Sequence, residues 1–390
     1  ISPTDSKYFA NVLYVNEKGD KSQFLNWWLS QMDRRQYEKL ECLPPPCSVP
    51  KNVYNLWKGF GIAEEELDPN IDISIILEHF YNIAGRDDIV RDYLLDWFAH
   101  KVQKPAIKTE VCIILYSDKQ GCGKGCFAEE LMKAMLGKYQ TEYFAVLDSI
   151  KEIGERFNNI GEKLLSVVNE LEGRDSYGLI EKIKDFITRK TFNREIKGST
   201  MERGLRALCD IMMTTNNDNC MKIDQSDRRF VIVECNQDII GDIEYFNKLW
   251  SSISDNRVMR SFYQLLMDRD ISSFVPQMNR PKTAIYDEIQ KASLSPIQLF
   301  WAEQYIRWED ANEDPIDKPL VKDKFKSFNY FYENSYPNKV HNYSVNAFSR
   351  ASRKISGFFK DTQQHREDGR TNKAFVINYP EMKELYLKTL

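Results

Sequence analysis

The sequence predicts an α/β protein built on a central, mainly parallel five-stranded sheet that carries a P-loop, with a helical domain before it and a winged-helix-like α+β domain after it. Three observations carry that expectation. The stretch Val111 to Phe127, VCIILYSDKQGCGKGCF, reads as a buried strand, a glycine-containing loop and the start of a helix that continues through CFAEELMKAML. Five short apolar runs, VCIILY, EYFAVL, KLLSVV, DIMMTT and RFVIVE, alternate with helical or loop-like spacers between Val111 and about Asn236. That is the pattern of a sheet buried on both faces. Near the end of the chain, helical runs give way to a strand pair around the polar tip QQHREDGRTNK.

Taken in order, residues 1–105 are expected to be helical. SQFLNWWLSQMDRRQYEKL predicts a helix that stops before Pro44 to Pro46, which cannot continue one. ISIILEHFYNIAG and DDIVRDYLLDWFAHKVQ repeat apolar residues every three or four positions, and Trp57 and Trp97 read as core residues. The sheet-bearing domain is expected over 106–278, with 242–275 helical. A linker at Pro276 to Pro281 leads into a third domain, 279–390. There SPIQLFWAEQYIRW, LVKDKFKSFNYFYENS and VNAFSRASRKISGFF predict helices, and KAFVINYP a closing strand.

With 390 residues, 29% charged and 42% hydrophobic, the chain has the composition of a soluble protein of two or three domains. No apolar run approaches the length needed to span a bilayer, and ISPTDSKYF lacks the layout of a signal peptide. The chain opens on Ile1 rather than Met, so a piece of a longer, cytoplasmic protein is expected. Eight cysteines without C-x-x-C pairs and four histidines argue against a metal or disulfide framework, the Cys42 and Cys47 pair included. A net charge of −4 gives no global sign of nucleic-acid binding, so local charge must carry that argument.

The chemistry concentrates at four places. Gly121, Cys122, Gly123, Lys124, Gly125 and Cys126 form the loop that would bind the phosphates of ATP: glycines turn backbone N–H groups inward, the helix start adds its dipole, and Lys124 supplies the cation. The loop departs from G-x-x-x-x-G-K-[ST] twice, with Asp118 for the first glycine and Gly125 for the hydroxyl that would contact Mg2+. KLLSVV ends in Asn169 and Glu170, where a P-loop ATPase places a magnesium-side group and a base that activates water. Asn169 and Glu170 are the candidate metal residues and Glu170 the candidate base. DIMMTT ends in Asn216 and Asn217, with Asn216 expected to position that water. Arg228 and Arg229, before the last strand, are candidates to stabilise phosphoryl transfer from a neighbouring subunit, the alternative being surface salt bridges.

This order of motifs resembles the superfamily 3 helicases of viruses and phages, closest to the poxvirus-type primase-helicases. Phage members of that family show a G-x-G-K-G loop, a strand with an acidic end, a T-x-N-N strand and an [ED]-R-R-F motif. YNLWKGF, the EHF helix and YLLDWFAHKVQKP look like the helical, collar-like domain that precedes the ATPase there. The similarity covers residues 52 to 240 with fair specificity, and the Lys- and Tyr-rich chain is also similar to the C-terminal half of a deep-sea-vent bacteriophage primase-polymerase. The resemblance implies an AAA+-type ATPase, a homo-oligomeric and usually hexameric ring around single-stranded or forked DNA, fused to or associated with a primase or polymerase. It also implies a channel hairpin within TRKTFNREIKGSTMERGLRAL, with Lys197 at its tip, against the alternative of a solvated basic loop. In the last domain, Lys339 to Lys373 holds eight Lys or Arg against three acidic residues. Arg350, Arg353 and Lys354 lie on the expected recognition helix, which suits DNA contact, although such modules also dock proteins. The rival readings are a catalytically weak nucleotide- and DNA-binding ring that scaffolds a primase or polymerase, and a P-loop kinase for a small substrate.

Overall fold

The computed structural model describes residues 12–15, 19–154, 160–169, 173–194, 202–217, 221, 223, 227–311, 320–337, 340–341, 343–355, 359–367 and 370–377. The chain begins with strands β1 (Leu13–Val15) and β2 (Lys21–Gln23), a short helix α1 (Phe24–Ser30), and strands β3 (Lys39–Glu41) and β4 (Val53–Asn55). This corrects the expectation of a helical start. The long helix drawn through SQFLNWWLSQMDRRQYEKL is only seven residues and buries none of its side chains. Its apolar residues are bunched before Gln31 and no apolar stripe continues, so no packing face sustains a longer helix.

The expected helices follow as α2 (Ser74–Ile83) and α3 (Asp88–Gln103). Asp87 caps α3 by accepting hydrogen bonds from the Ile89 and Val90 N–H groups at 2.8 and 3.1 Å. Trp97 is fully buried on α3 and donates its indole N–H to Thr109 Oγ1 at 3.1 Å. Then come β5 (Cys112–Tyr116), α4 (Leu131–Leu136), α5 (Gln140–Tyr143), β6 (Phe144–Leu147), β7 (Leu165–Val168) and α6 (Gly173–Thr188). Strands β8 (Thr191–Arg194), β9 (Glu202–Arg206), β10 (Asp210–Thr215) and β11 (Phe230–Glu234) lead to helices α7 (Ile243–Ser254), α8 (Asn256–Asp268) and α9 (Ala284–Ala292).

All five apolar runs are strands of one parallel sheet, in the order β11-β5-β10-β7-β6. Alternation along each strand divides its residues between two faces. Ile113, Leu115, Val167, Met212, Val231 and Val233 enter the core shared with α2, α3, α4, α7 and α8. Ile114, Tyr116, Val168, Ile211, Met213, Phe230 and Ile232 enter the opposite core with Ile183 and Phe186 of α6 and Ile285 and Ile289 of α9. Both faces are covered, as a parallel sheet requires. Because β10 lies between β5 and β7, the ends of these three strands are neighbours at one edge.

A separate core gathers Phe300 and Trp301 of α10 (Pro296–Ala311), Phe328 of α11 (Val321–Ser335), Phe348 of α12 (Val345–Arg353) and Phe375 of the β12 (Phe359–Glu367) and β13 (Arg370–Ile377) hairpin. Three helices and an antiparallel hairpin give the winged-helix-like arrangement. Among the described residues, no helix is long and apolar enough to cross a membrane.

Candidate functional site

A cleft of about 850 Å³ opens at the C-terminal edge of β5, β7 and β10. Along its floor runs the loop from Gln120 to Cys126, with a helix beginning at Lys124 and passing through a π turn, Cys126–Glu130, into α4. The glycines are used differently. Gly123 has a φ of +89°, and a Cβ there would stand 2.5 Å from His79 Cε1 and 3.2 Å from Phe246. The loop is thus pressed against α2 and α7 at a point where only glycine fits. Gly121 also has a positive φ, +96°, whereas Gly125 has helical backbone angles and open space where a side chain would go.

Lys124 is buried and donates its ammonium to Ser117 Oγ. Ser117 links the cleft together: its hydroxyl donates to Lys119 O at 2.6 Å and accepts from Cys122 Sγ at 3.3 Å, while its carbonyl accepts the Asn216 Nδ2 amide at 2.8 Å. Asn216 therefore stands over the root of the loop, from the end of the adjacent strand. The Cys122 thiol is pushed down to about 6, chiefly by its hydrogen bond with Cys235, with Ser117 and the Lys124 cation adding to the effect against burial. Asp118, in the place of the first motif glycine, is exposed and accepts from the Tyr116 hydroxyl.

Asn169 also lines the cleft. Its amide Nδ2 donates to Glu129 Oε1 at 2.8 Å, and its Oδ1 accepts from Thr214 Oγ1 at 3.4 Å. Glu129, one helical turn beyond Lys124, is shared with Lys133 at 2.7 Å. Glu129 and Asp148 are the carboxylates that line the cleft among the described residues; neither was singled out in the sequence. Glu129 was hidden because it falls on a helix rather than at a strand end, where acidic partners of a P-loop are sought. Glu170 lies outside the described residues.

The structure does not bring the arginines to this cleft. The N–H of Cys112, the first residue of β5, donates to the Arg229 carbonyl at 2.7 Å, so Arg228 and Arg229 stand at the opposite, N-terminal edge of the sheet. Arg229 is paired with the buried Asp227 at 3.5 Å, and Asp227 in turn accepts the Arg229 N–H at 2.7 Å. Arg228 is exposed. β8 and β9 pair antiparallel, Thr191 opposite Arg206, as the expected hairpin requires, but Lys197 lies outside the described residues. Arg350 and Arg353 are exposed in the last turn of α12 and Lys354 is exposed just after it, with Arg353 Nε donating to Ser349 O at 3.4 Å. The helix expected to carry recognition residues is shorter than predicted, ending at Arg353.

A family of unknown function, DUF5906, matches residues 115–229, the span from the end of β5 to Arg229. The DNA primase-polymerase of Nitratiruptor phage NrS-1 is 24% identical over 262 residues, which are 64% of this chain and 34% of that protein. The apo structure of the NrS-1 C-terminal region superposes with a TM-score of 0.64 at 16% identity, covering 88% of this chain and 85% of that one. A second form of the same region gives 0.65, covering 92% of each chain. The chain has the fold of the NrS-1 C-terminal region. The likeness to a bacteriophage primase-polymerase expected from the sequence is found, and it falls on the C-terminal region of that protein. The match spans about a third of the length of this curated relative.

Proposed function

We propose that the chain is an ATP-dependent, ring-forming helicase or translocase module of a phage replication protein. The observation that carries this reading is the convergence on Ser117: the buried Lys124 ammonium, from the helix start after the glycine loop, and the Asn216 amide, from just beyond β10, both bind it in the lining of one cleft. A phosphate chain entering the loop would meet backbone N–H groups, a helix start and a lysine. Asn216 is the group to orient an attacking water, with Glu170 as the base. Likeness to a phage primase-polymerase supports a role in replication. The exposed Arg350, Arg353 and Lys354 and the Lys197 hairpin are the proposed DNA contacts, and a primase or polymerase the associated partner.

The residues also bear on Mg2+. With no hydroxyl at residue 125 and an amide at Asn169, the groups among the described residues of the cleft that fit a hard cation are the carboxylates of Glu129 and Asp148, to which Asn169 and Glu170 would add. Magnesium commonly takes one or two carboxylates and completes its shell from phosphates and water, where it neutralises charge during phosphoryl transfer. The reduced donor set favours, as a second reading, a ring that binds nucleotide, turns it over slowly and serves as a scaffold. Steady-state ATP hydrolysis by the chain, with and without single-stranded DNA, separates the two. DNA-stimulated turnover is expected of a translocase, whereas nucleotide binding without stimulated turnover would leave the scaffold.

A further inference from the structure

Helix α7 carries two stripes. Tyr245, Leu249 and Ile253 are buried in the core, three positions spaced by four residues. The adjacent stripe, Phe246 and Trp250, again four apart and therefore on one face, turns to the cleft and lines it together with Gly121, Gly123 and Lys124. Phe246 packs directly over the loop, its ring 3.2 Å from where a Gly123 Cβ would be. Trp250 lies one turn farther along and is 45% exposed. Among the described residues its indole stacks on no other ring and its N–H has no hydrogen-bond partner. A single exposed aromatic on a protein surface needs no explanation. Trp250 differs because it lines the same cleft as the glycine loop, next to Phe246 on the helix that packs against that loop.

We propose that Trp250 is the stacking platform for the base of the bound nucleotide, with Phe246 closing the wall between base and phosphates. The proposal rests on the nucleotide-binding reading of the cleft and adds to it the group that would receive the base. A flat, amphipathic indole with one open face offers a base dispersion and π contact that is tolerant of base identity. The platform therefore holds purine nucleoside triphosphates without strong discrimination between adenine and guanine, and specificity between them lies elsewhere.

The test measures binding of ATP, GTP and inorganic tripolyphosphate to the intact chain by calorimetry without added Mg2+, so that hydrolysis does not intrude. Trp250→Ala is expected to weaken ATP and GTP alike by roughly tenfold, to leave tripolyphosphate affinity unchanged, and to leave the melting temperature near that of the parent because the side chain is outside the core. Trp250→Phe should recover most of the loss. Unchanged ATP affinity in Trp250→Ala overturns the platform, and so does an equal loss for ATP and tripolyphosphate, which would mean that the residue acts through the loop and not on the base. Lys124→Ala is the control for the underlying reading: it should weaken both ligands, and if it weakens neither, the cleft is not a nucleotide site at all.

Discussion

At the scale of single residues, two glycines in the same loop make opposite predictions. Gly123→Ala places a methyl group 2.5 Å from His79 Cε1 at a φ of +89°, a conformation that L side chains avoid. The loop must shift off α2 and α7, so ATP binding should be lost and the protein destabilised by more than about 1 kcal/mol. Calorimetry with ATP and a urea melt check both parts. Gly125→Ser faces no such obstacle, because its backbone is helical and nothing stands within 4 Å of the added carbon. If turnover is limited by the missing hydroxyl, this variant should hydrolyse ATP faster and need less Mg2+ for half-maximal rate. A slower variant would show that the loop geometry is adapted to Gly125. Gly125 shows how far sequence goes here: its departure from the motif is plain from the chain, but the space around it is not.

At the scale of elements, the buried Lys101 and Asp210 pair joins helix α3 to the start of β10. The ammonium and carboxylate are 2.7 Å apart with essentially no exposure, and Asp210 also accepts the Thr109 N–H at 3.0 Å. Asn216 follows the other end of β10, so this bridge fixes the strand that delivers a residue to the cleft. Lys101→Ala leaves a buried carboxylate without its counter-charge and should cost ~3–5 kcal/mol, measured by urea unfolding. A cost below ~1 kcal/mol would mean that water or a neighbouring lysine replaces the ammonium. The strands themselves were legible because each is a continuous apolar run bounded by polar spacers, and α2 and α3 because their apolar residues keep helical spacing. The start of the chain was not. FLNWWL is rich in apolar residues but lacks a stripe, and β3 and β4 are three-residue strands whose pairing depends on contacts distant in sequence. The lining of the cleft was legible where motif and strand end coincide, at Lys124, Asn169 and Asn216. It was illegible at Trp250 and Glu129, which reach the cleft from helices and whose presence there depends on packing.

At the scale of the whole molecule, the sheet sets where chemistry can be shared. Arg228 lies before β11 and Lys124 lies beyond β5; these strands are parallel neighbours, so the two residues are at opposite edges. Five residues at about 3.3 Å each put roughly 16 Å of strand between those edges, more than an arginine side chain spans. Arg228 therefore cannot reach the glycine loop of its own subunit. If it stabilises phosphoryl transfer, it does so at a neighbour's cleft, and the enzyme needs an assembly in which the N-terminal edge of one sheet faces the C-terminal edge of the next. Arg229 is already engaged by Asp227, which leaves the exposed Arg228 as the group to cross that boundary. Arg228→Ala should bind ATP almost normally yet lose hydrolysis on the order of a thousandfold. Lys124→Ala should be inactive for lack of phosphate binding. Mixing the two variants builds some interfaces in which an intact loop from one subunit meets an intact arginine from the other, and ATPase activity should partly return. Because the geometry has excluded a contribution within one subunit, a mixture that demonstrably co-assembles and still shows no recovery removes Arg228 from the chemistry.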